Sequence, residues 1–233
     1  IDPSTMPHLL KRTDQAYPVT FTFGPAEWDE RKVGDDKTNP EPSFIGDRIR
    51  DLTIHENRLM VVSGENVIGS EIGEYFNFFA TTVATLIDSD PVDTSGSTKK
   101  VATWDWLVPY DETLLLFSGS GGLQSRVGIQ GESMTPSTPP PKKVTDFAIS
   151  REIEPVSLGA SMFLVDSNGA HSTLRDMHLD ENLNFVAPEV TSHVPTLLPP
   201  NLSYISASEN ENMVVVGSSD SEYIFVYSFN KDR

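Results

Sequence analysis

Cysteine is absent from all 233 residues. Disulfides, thiolate nucleophiles and every cysteine-ligated zinc or iron–sulfur site are therefore excluded. Basic charge is scarce: 17 Lys and Arg stand against 34 Asp and Glu, a net charge of −17. Such a surface repels polyphosphate and anionic lipid, so tight nucleic-acid binding is not expected, although DNA could slide past an acidic wall without sticking to it. Long apolar runs are missing as well. None approaches the roughly 18 residues of a spanning helix, and Ile1-Asp2-Pro3-Ser4-Thr5 lacks a basic-then-apolar signal pattern, so neither membrane insertion nor signal-led export is expected. A start at Ile1 and an end at Arg233 are expected of an excised piece.

The short motifs of catalysis are also missing. His8, His55, His171, His178 and His193 never form an i, i+4 pair, and His55-Glu56 lacks the second histidine of a helical zinc site. No serine sits in a G-x-S-x-G elbow, and no glycines form a phosphate-binding loop. Asp166, Ser167 and His171 could supply a triad's residue types, but three polar residues in a row of this kind read as a hairpin turn. No cofactor is expected.

What the chain does have is punctuation. There are 17 prolines and 15 glycines, and the apolar runs last four or five residues before Ser, Gly, Asn or Asp interrupts them, the pattern of an all-β protein. Four runs are alike: Leu59-Met60-Val61-Val62, Leu114-Leu115-Leu116-Phe117, Met162-Phe163-Leu164-Val165 and Met213-Val214-Val215-Val216. Each is followed by a small polar turn (Ser63 to Asn66, Ser118 to Gly121, Asp166 to Gly169, Gly217 to Asp220) and preceded by another short strand and turn. Gly and Asn in such turns supply the positive φ that a tight hairpin requires.

The last residues of the four runs, 62, 117, 165 and 216, are spaced by 55, 48 and 51. A period near 50 is that of a propeller blade, a unit that cannot bury both faces until neighbours pack against it. Central strands that are apolar throughout, rather than alternating, suit sheets covered on both sides. The expected fold is all-β and propeller-like, with about four antiparallel blades near residues 49–79, 101–149, 153–187 and 202–229. Residues 1–47 would form an extended segment leading into a propeller domain at 48–233. Tyr75 to Phe79, Val144 to Ile149 and Asn184 to Ala187 are candidate outer strands. Periodicity alone also admits a β-sandwich.

Asp29 to Pro42 reads as a surface loop that could reach a neighbouring subunit, and the proline-rich Met134 to Lys143 as a connector between blades. Asp88, Asp90 and Asp93 form a weak acidic cluster with a faint likeness to a calcium loop, but neither the required glycine nor the final glutamate is in place. The same carboxylates could act as the acid and base of a glycan hydrolase. Two aromatic groups, Tyr75, Phe76, Phe78 and Phe79, then Trp104 and Trp106, are candidates for blade or subunit interfaces, with sugar stacking as the competing use.

Several stretches resemble a known family. They are Ile49-Arg50-Asp51-Leu52, His55-Glu56-Asn57-Arg58-Leu59, Ser63-Gly64-Glu65-Asn66-Val67, Gly73-Glu74-Tyr75-Phe76-Asn77-Phe78-Phe79, Leu86 to Asp93, Leu114-Leu115-Leu116-Phe117-Ser118 and Glu154-Pro155-Val156-Ser157. Thr5-Met6-Pro7-His8 and Val33-Gly34-Asp35-Asp36 agree with it too. Together they resemble the tail tubular protein B, or nozzle protein, family of T7-like short-tailed phages. The resemblance implies a virion structural protein assembled in the host cytoplasm, built around a β-propeller and forming a hexamer at the distal tail tube. It further implies docking on a tail adaptor ring (tail tubular protein A), contact with tail fibres, and a channel through which DNA leaves without being tightly bound. Family members are several times longer than this chain. Glycine-rich Gly119 to Gly131 departs from the family, and a strand there is expected to be frayed or rebuilt. A carbohydrate-binding or glycan-hydrolysing propeller is the alternative.

Overall fold

The computed structural model describes residues 1–14, 17–96, 103–119, 122–129, 131–167, 169–219 and 221–229. Ser120, Gly121, Asn168 and Asp220, from three of the anticipated turns, lie outside the described residues.

All regular structure is β. A hairpin of β1 (His8–Arg12) and β2 (Phe21–Pro25) comes first. Four separate sheets follow in chain order. The first holds β3 (Ile49–His55), β4 (Arg58–Ser63), β5 (Asn66–Gly69) and β6 (Val92–Ser95), and the second β7 (Trp106–Tyr110), β8 (Thr113–Ser118), β9 (Leu123–Val127) and β10 (Lys142–Thr145). The third holds β11 (Val156–Leu158), β12 (Ser161–Ser167), β13 (Ser172–Leu179) and β14 (Phe185–Val186), and the fourth β15 (Tyr204–Ser208), β16 (Met213–Gly217) and β17 (Ile224–Ser228). Every pairing is antiparallel between strands adjacent in sequence, so each sheet is a meander, the form of a propeller blade.

The blades stack in series, and the second strand of each explains why. In β8 all six residues are buried. Because side chains alternate across a strand, Leu114 and Leu116 enter a core shared with Met60, Val62 and Val67 of the first blade. Leu115 and Phe117 enter a second core with Met162, Leu164 and Met177 of the third. Phe163 and Val165 then join Val214 and Val216 of the fourth blade in a third core. Three inter-blade cores in line are incompatible with a two-layered sandwich. The apolar runs are uninterrupted because both of their faces are covered.

The outer face of the first blade is covered by the N-terminal segment, where Met6, Ala26, Trp28 and Phe44 pack on Val61, Ile68 and Phe78. Residues before the first blade thus act as a packing layer. Asp29 to Pro42 is likewise tied down: Asn39 is buried, its Nδ2 donates to the carbonyls of Val33 and Ala80 at 3.0 Å, and its Oδ1 accepts the Ala80 N–H at 3.0 Å.

Two local details differ from expectation. Tyr75 to Phe79 forms no strand; the edge of the first sheet is β6, paired with β5 from Asn66↔Ser95 to Gly69↔Val92. Its aromatics are used for packing in irregular backbone. Glycine-rich Gly119 to Gly131 holds the regular strand β9, paired with β8 over five residues, because its described glycines, Gly119, Gly122, Gly128 and Gly131, flank Leu123–Val127 and leave it free to pair.

Candidate functional site

Two of the candidate interface residues, Trp104 and Trp106, lie where blades meet. Trp104 is fully buried between the first two blades, and its Nε1 donates to the Glu65 carbonyl at 2.9 Å. Across the same junction, Asp51 Oδ2 accepts the Leu107 N–H at 2.8 Å, while its Oδ1 accepts the Leu52 N–H at 2.8 Å. Burial raises the Asp51 carboxyl above the ordinary 3.8, against the opposing effect of these two N–H groups.

The second junction has its own set. Trp106 packs against the core between the second and third blades and its Nε1 donates to Ser150 O at 3.4 Å. Tyr110 Oη donates to Ala160 O at 2.7 Å. Asp105, nearly buried, accepts Arg151 Nη2 at 3.2 Å and the Gly119 N–H at 2.9 Å.

Phe76 and Phe78 of the earlier group face the N-terminal layer. Phe78 meets Phe44 edge-on at 5.1 Å, Phe76 meets Trp28 edge-on at 5.2 Å, and Phe79 is buried. Tyr75 is half-buried and donates its hydroxyl to Asn57 Oδ1 at 2.6 Å.

The three aspartates do not converge. Asp90 is buried, and its Oδ2 accepts the Ile87 N–H at 2.9 Å. Asp93 turns to the Ser43 N–H at 2.8 Å, and Asp88 is exposed. Among the described residues no group of three or more His, Asp or Glu side chains is placed to hold a metal ion. The backbone of this stretch has a different use: its carbonyls receive a buried arginine.

That arginine, Arg58, is the feature that motif reading passed over. It is fully buried at the start of β4. Its Nη1 donates to the carbonyls of Ser70 at 2.6 Å, Asp90 at 2.8 Å and Ser89 at 3.2 Å; its Nη2 donates to Asp88 O at 2.7 Å and Met134 O at 3.3 Å. One guanidinium thus gathers the end of β5, the 88–90 loop and the proline-rich segment, which joins β9 to β10 within the second blade and does not connect two blades as the sequence suggested. Planar donors on a fixed fork suit this task as an ammonium would not. Burial pushes its pKa down, and the carboxylates of Glu56, Asp90 and Glu71 oppose that shift. The only signal in the sequence is a lone charge directly before an apolar blade strand.

The turn that delivers Arg58 is strained. Glu56 and Asn57 adopt φ of 46° and 59°, the mirror-image geometry of a two-residue hairpin. Asn tolerates this conformation; Glu does so less readily. Glu56 is held by a second contact, its Oε2 accepting the Met134 N–H at 2.5 Å. The preceding His55 is buried, its Nε2 has no hydrogen-bond partner, and burial lowers its pKa from the ordinary 6.5.

Of the remaining histidines, His8 stacks on Phe23 at 5.4 Å between centroids, and His178 Nδ1 lies 3.3 Å from Asp176 Oδ1. Asp166 and Ser167 lie at the end of β12 and His171 in the connection to β13, the hairpin that the sequence pattern suggested.

Comparison with known proteins gives the family. Residues 1–232 match the family model described as bacteriophage nozzle protein. The tail tubular protein gp12 of Escherichia phage T7 is 32% identical over 228 residues, covering 97% of this chain and 28% of that protein. The chain therefore spans little more than a quarter of that relative's length. Among solved structures, a quinonprotein alcohol dehydrogenase-like protein from Bacteroides thetaiotaomicron VPI-5482 aligns with a TM-score of 0.47 at 13% identity, over 77% of this chain and 40% of that one. Kluyveromyces lactis Hsv2 aligns with a TM-score of 0.40 at 12% identity, over 78% and 61%. On the match over its whole described length, this chain belongs to the bacteriophage nozzle protein family.

Proposed function

We propose that this chain is part of the wall of a phage tail tube, a structural component of the virion that works through contacts between subunits rather than by turnover. The observation that carries the reading is the 32% identity to a tail tubular protein over 97% of the chain. The architecture suits it. Three inter-blade cores in series make a stiff body, and rigid walls are what a conduit needs. The net charge of −17 suits a conduit past which DNA must move, since each basic side chain facing a channel would add a salt-dependent phosphate contact.

In this reading the longer protein forms a ring of six around the channel, docks on the tail adaptor protein, tail tubular protein A, and meets the tail fibres at its side. It needs no cofactor and catalyses no reaction. Two of the three carboxylates that glycan cleavage would use are engaged in folding: Asp90 caps the Ile87 N–H and Asp93 the Ser43 N–H.

The test is the solution mass of the chain by light scattering, alone and after mixing with the adaptor ring. A stable complex with the adaptor supports the reading. No complex with either the chain or the longer protein, together with release of reducing sugar from host polysaccharide, overturns it.

A further inference from the structure

Three charged side chains of the first two blades hold a single loop, the one between β9 and β10. Glu56 Oε2 accepts the Met134 N–H at 2.5 Å, Glu112 Oε2 accepts the Gly131 N–H at 2.7 Å, and Arg58 Nη2 donates to the Met134 carbonyl at 3.3 Å. Glu56 and Arg58 belong to the β3–β4 hairpin of the first blade, and Glu112 to the β7–β8 turn of the second. The loop in turn helps to close the junction between them. Met134 is buried and packs with Met60, Val62 and Trp104 in the core that those two blades share. A loop that lets go here opens the seam between two blades.

His55 sits among these anchors. It is buried at the end of β3 and pairs with Arg58 in the hairpin register. Its ring hydrogen-bonds the backbone of Glu112, while Nε2 has no hydrogen-bond partner and lies 3.9 Å from Glu56 Oε1. The charged groups about it are Glu56 on its own turn, Arg58 on β4 and Glu112 on the β7–β8 turn, with Asp90 and Glu71 beyond Arg58. The neutral imidazole turns a bare lone pair toward a carboxylate, so the two acceptors have nothing to exchange, and Glu56 gives its other oxygen to Met134.

A proton on Nε2 reverses this relation. The ring becomes a donor and a cation, and a buried cation is costly unless it is paired and hydrogen-bonded. At 3.9 Å the carboxylate is too far away for a hydrogen bond. The charged ring must therefore draw Glu56 toward itself or admit water through the turn, and both routes take the carboxylate from the Met134 N–H. The turn is poised to yield, since Glu56 already holds a φ of 46°, a conformation costly for a residue of its kind.

We infer that His55 is an acid-operated latch: its protonation withdraws Glu56 from Met134, loosens the β9–β10 loop and opens the seam between the first and second blades. Burial lowers the pKa of the folded ring from the ordinary 6.5, against the opposing effect of the Glu56 carboxylate and the Glu112 backbone. The latch is therefore shut at neutral pH and opens as the pH falls below about 6.5. The device lies in the chain's own contacts and stands independently of the tube-wall reading.

Amide hydrogen exchange of the whole chain at pH 7.5 and 5.5, corrected for the intrinsic pH dependence of exchange, tests it. Opening at Met134 should rise about tenfold or more at the lower pH, while Leu115, in the middle of β8, changes by less than about twofold. His55→Gln, which cannot titrate, should make opening at Met134 independent of pH. Glu56→Gln keeps an acceptor for the Met134 N–H but removes the anion that favours the imidazolium, so the midpoint of opening should move to lower pH. Should His55→Gln fail to give the circular dichroism of the unaltered chain, the Glu56→Gln midpoint decides. Protection at Met134 that is equal at both pH values overturns the inference. So does opening that persists in folded His55→Gln, a midpoint unmoved in Glu56→Gln, or an equal rise at Leu115, which would mark global unfolding instead of a local latch.

Discussion

Arg58 and Asp90 meet through the backbone: Arg58 Nη1 donates to the Asp90 carbonyl at 2.8 Å, while the Asp90 carboxylate turns away to accept the Ile87 N–H at 2.9 Å. The acidic residue serves the arginine with its main chain and the loop with its side chain. Both groups are buried, so neither can exchange its partner for water.

Replacing Arg58 should therefore be among the most damaging single changes in the chain. Arg58→Met strips five carbonyls of a donor, and the expected loss is about 3–5 kcal/mol, as for breaking a buried polar network. Arg58→Lys should recover only part, since one ammonium cannot span the same carbonyls. Urea unfolding of both variants checks this; a loss below about 1 kcal/mol in Arg58→Met refutes the node.

The three aspartates should separate by mutation. Asp90→Ala removes a buried carboxylate and the acceptor of the Ile87 N–H, at an expected cost of about 1–3 kcal/mol. Asp88→Ala, at an exposed carboxylate, should stay within about 0.5 kcal/mol of the unaltered chain. Equal losses at both positions in thermal unfolding would point to a shared site instead.

The inter-blade cores predict uniform sensitivity along the stack. Phe117→Ala, between the second and third blades, should cost about 3–5 kcal/mol, and Leu114→Ala, between the first and second, about 2–5 kcal/mol. Urea unfolding should stay a single transition in each case if the blades are mutually dependent, whereas a second transition would show that they unfold separately.

Asp51 joins two blades with one oxygen. Asp51→Ala leaves the Leu107 N–H without its acceptor, and about 1–3 kcal/mol should be lost. Hydrogen exchange at Leu107 should accelerate more than at Leu115, which lies in the next strand of the same blade.

His55 predicts a pH dependence of definite sign. Its folded pKa is depressed below the ordinary 6.5 by burial, so the unfolded chain binds the proton more readily. Its contribution is complete above about pH 6.5 and is lost as the pH falls below it. The slope of stability between pH 7.5 and 5.5 should flatten in His55→Gln. An unchanged slope assigns the acid sensitivity to other groups.

Much of the fold was legible in the sequence because its strongest signal is local. A strand covered on both faces must be apolar at consecutive positions, and Leu114 to Phe117 displays this without any knowledge of its neighbours. Turn chemistry is local too: Gly64 and Gly159 adopt the positive φ expected of glycines that end blade strands. Tyr75 to Phe79 misled because aromatic density reads the same in a strand and in a packed irregular segment. The alternation in Val19-Thr20-Phe21-Thr22-Phe23 was a strand signal that went unused, since period alone does not say whether a hairpin has a sheet to join.

The sequence by itself determined the all-β class, the blade period near 50, the acidic balance and the absence of thiol chemistry, because each depends on residue identity or on spacing of a few positions. Only the tertiary structure decided which residues meet at long range. The Arg58 guanidinium reaches Met134 across 76 positions, and Glu56 reaches the same residue across 78. Such contacts are set by how blades stack, and stacking is directed by side-chain volume on two faces at once, which no single strand records.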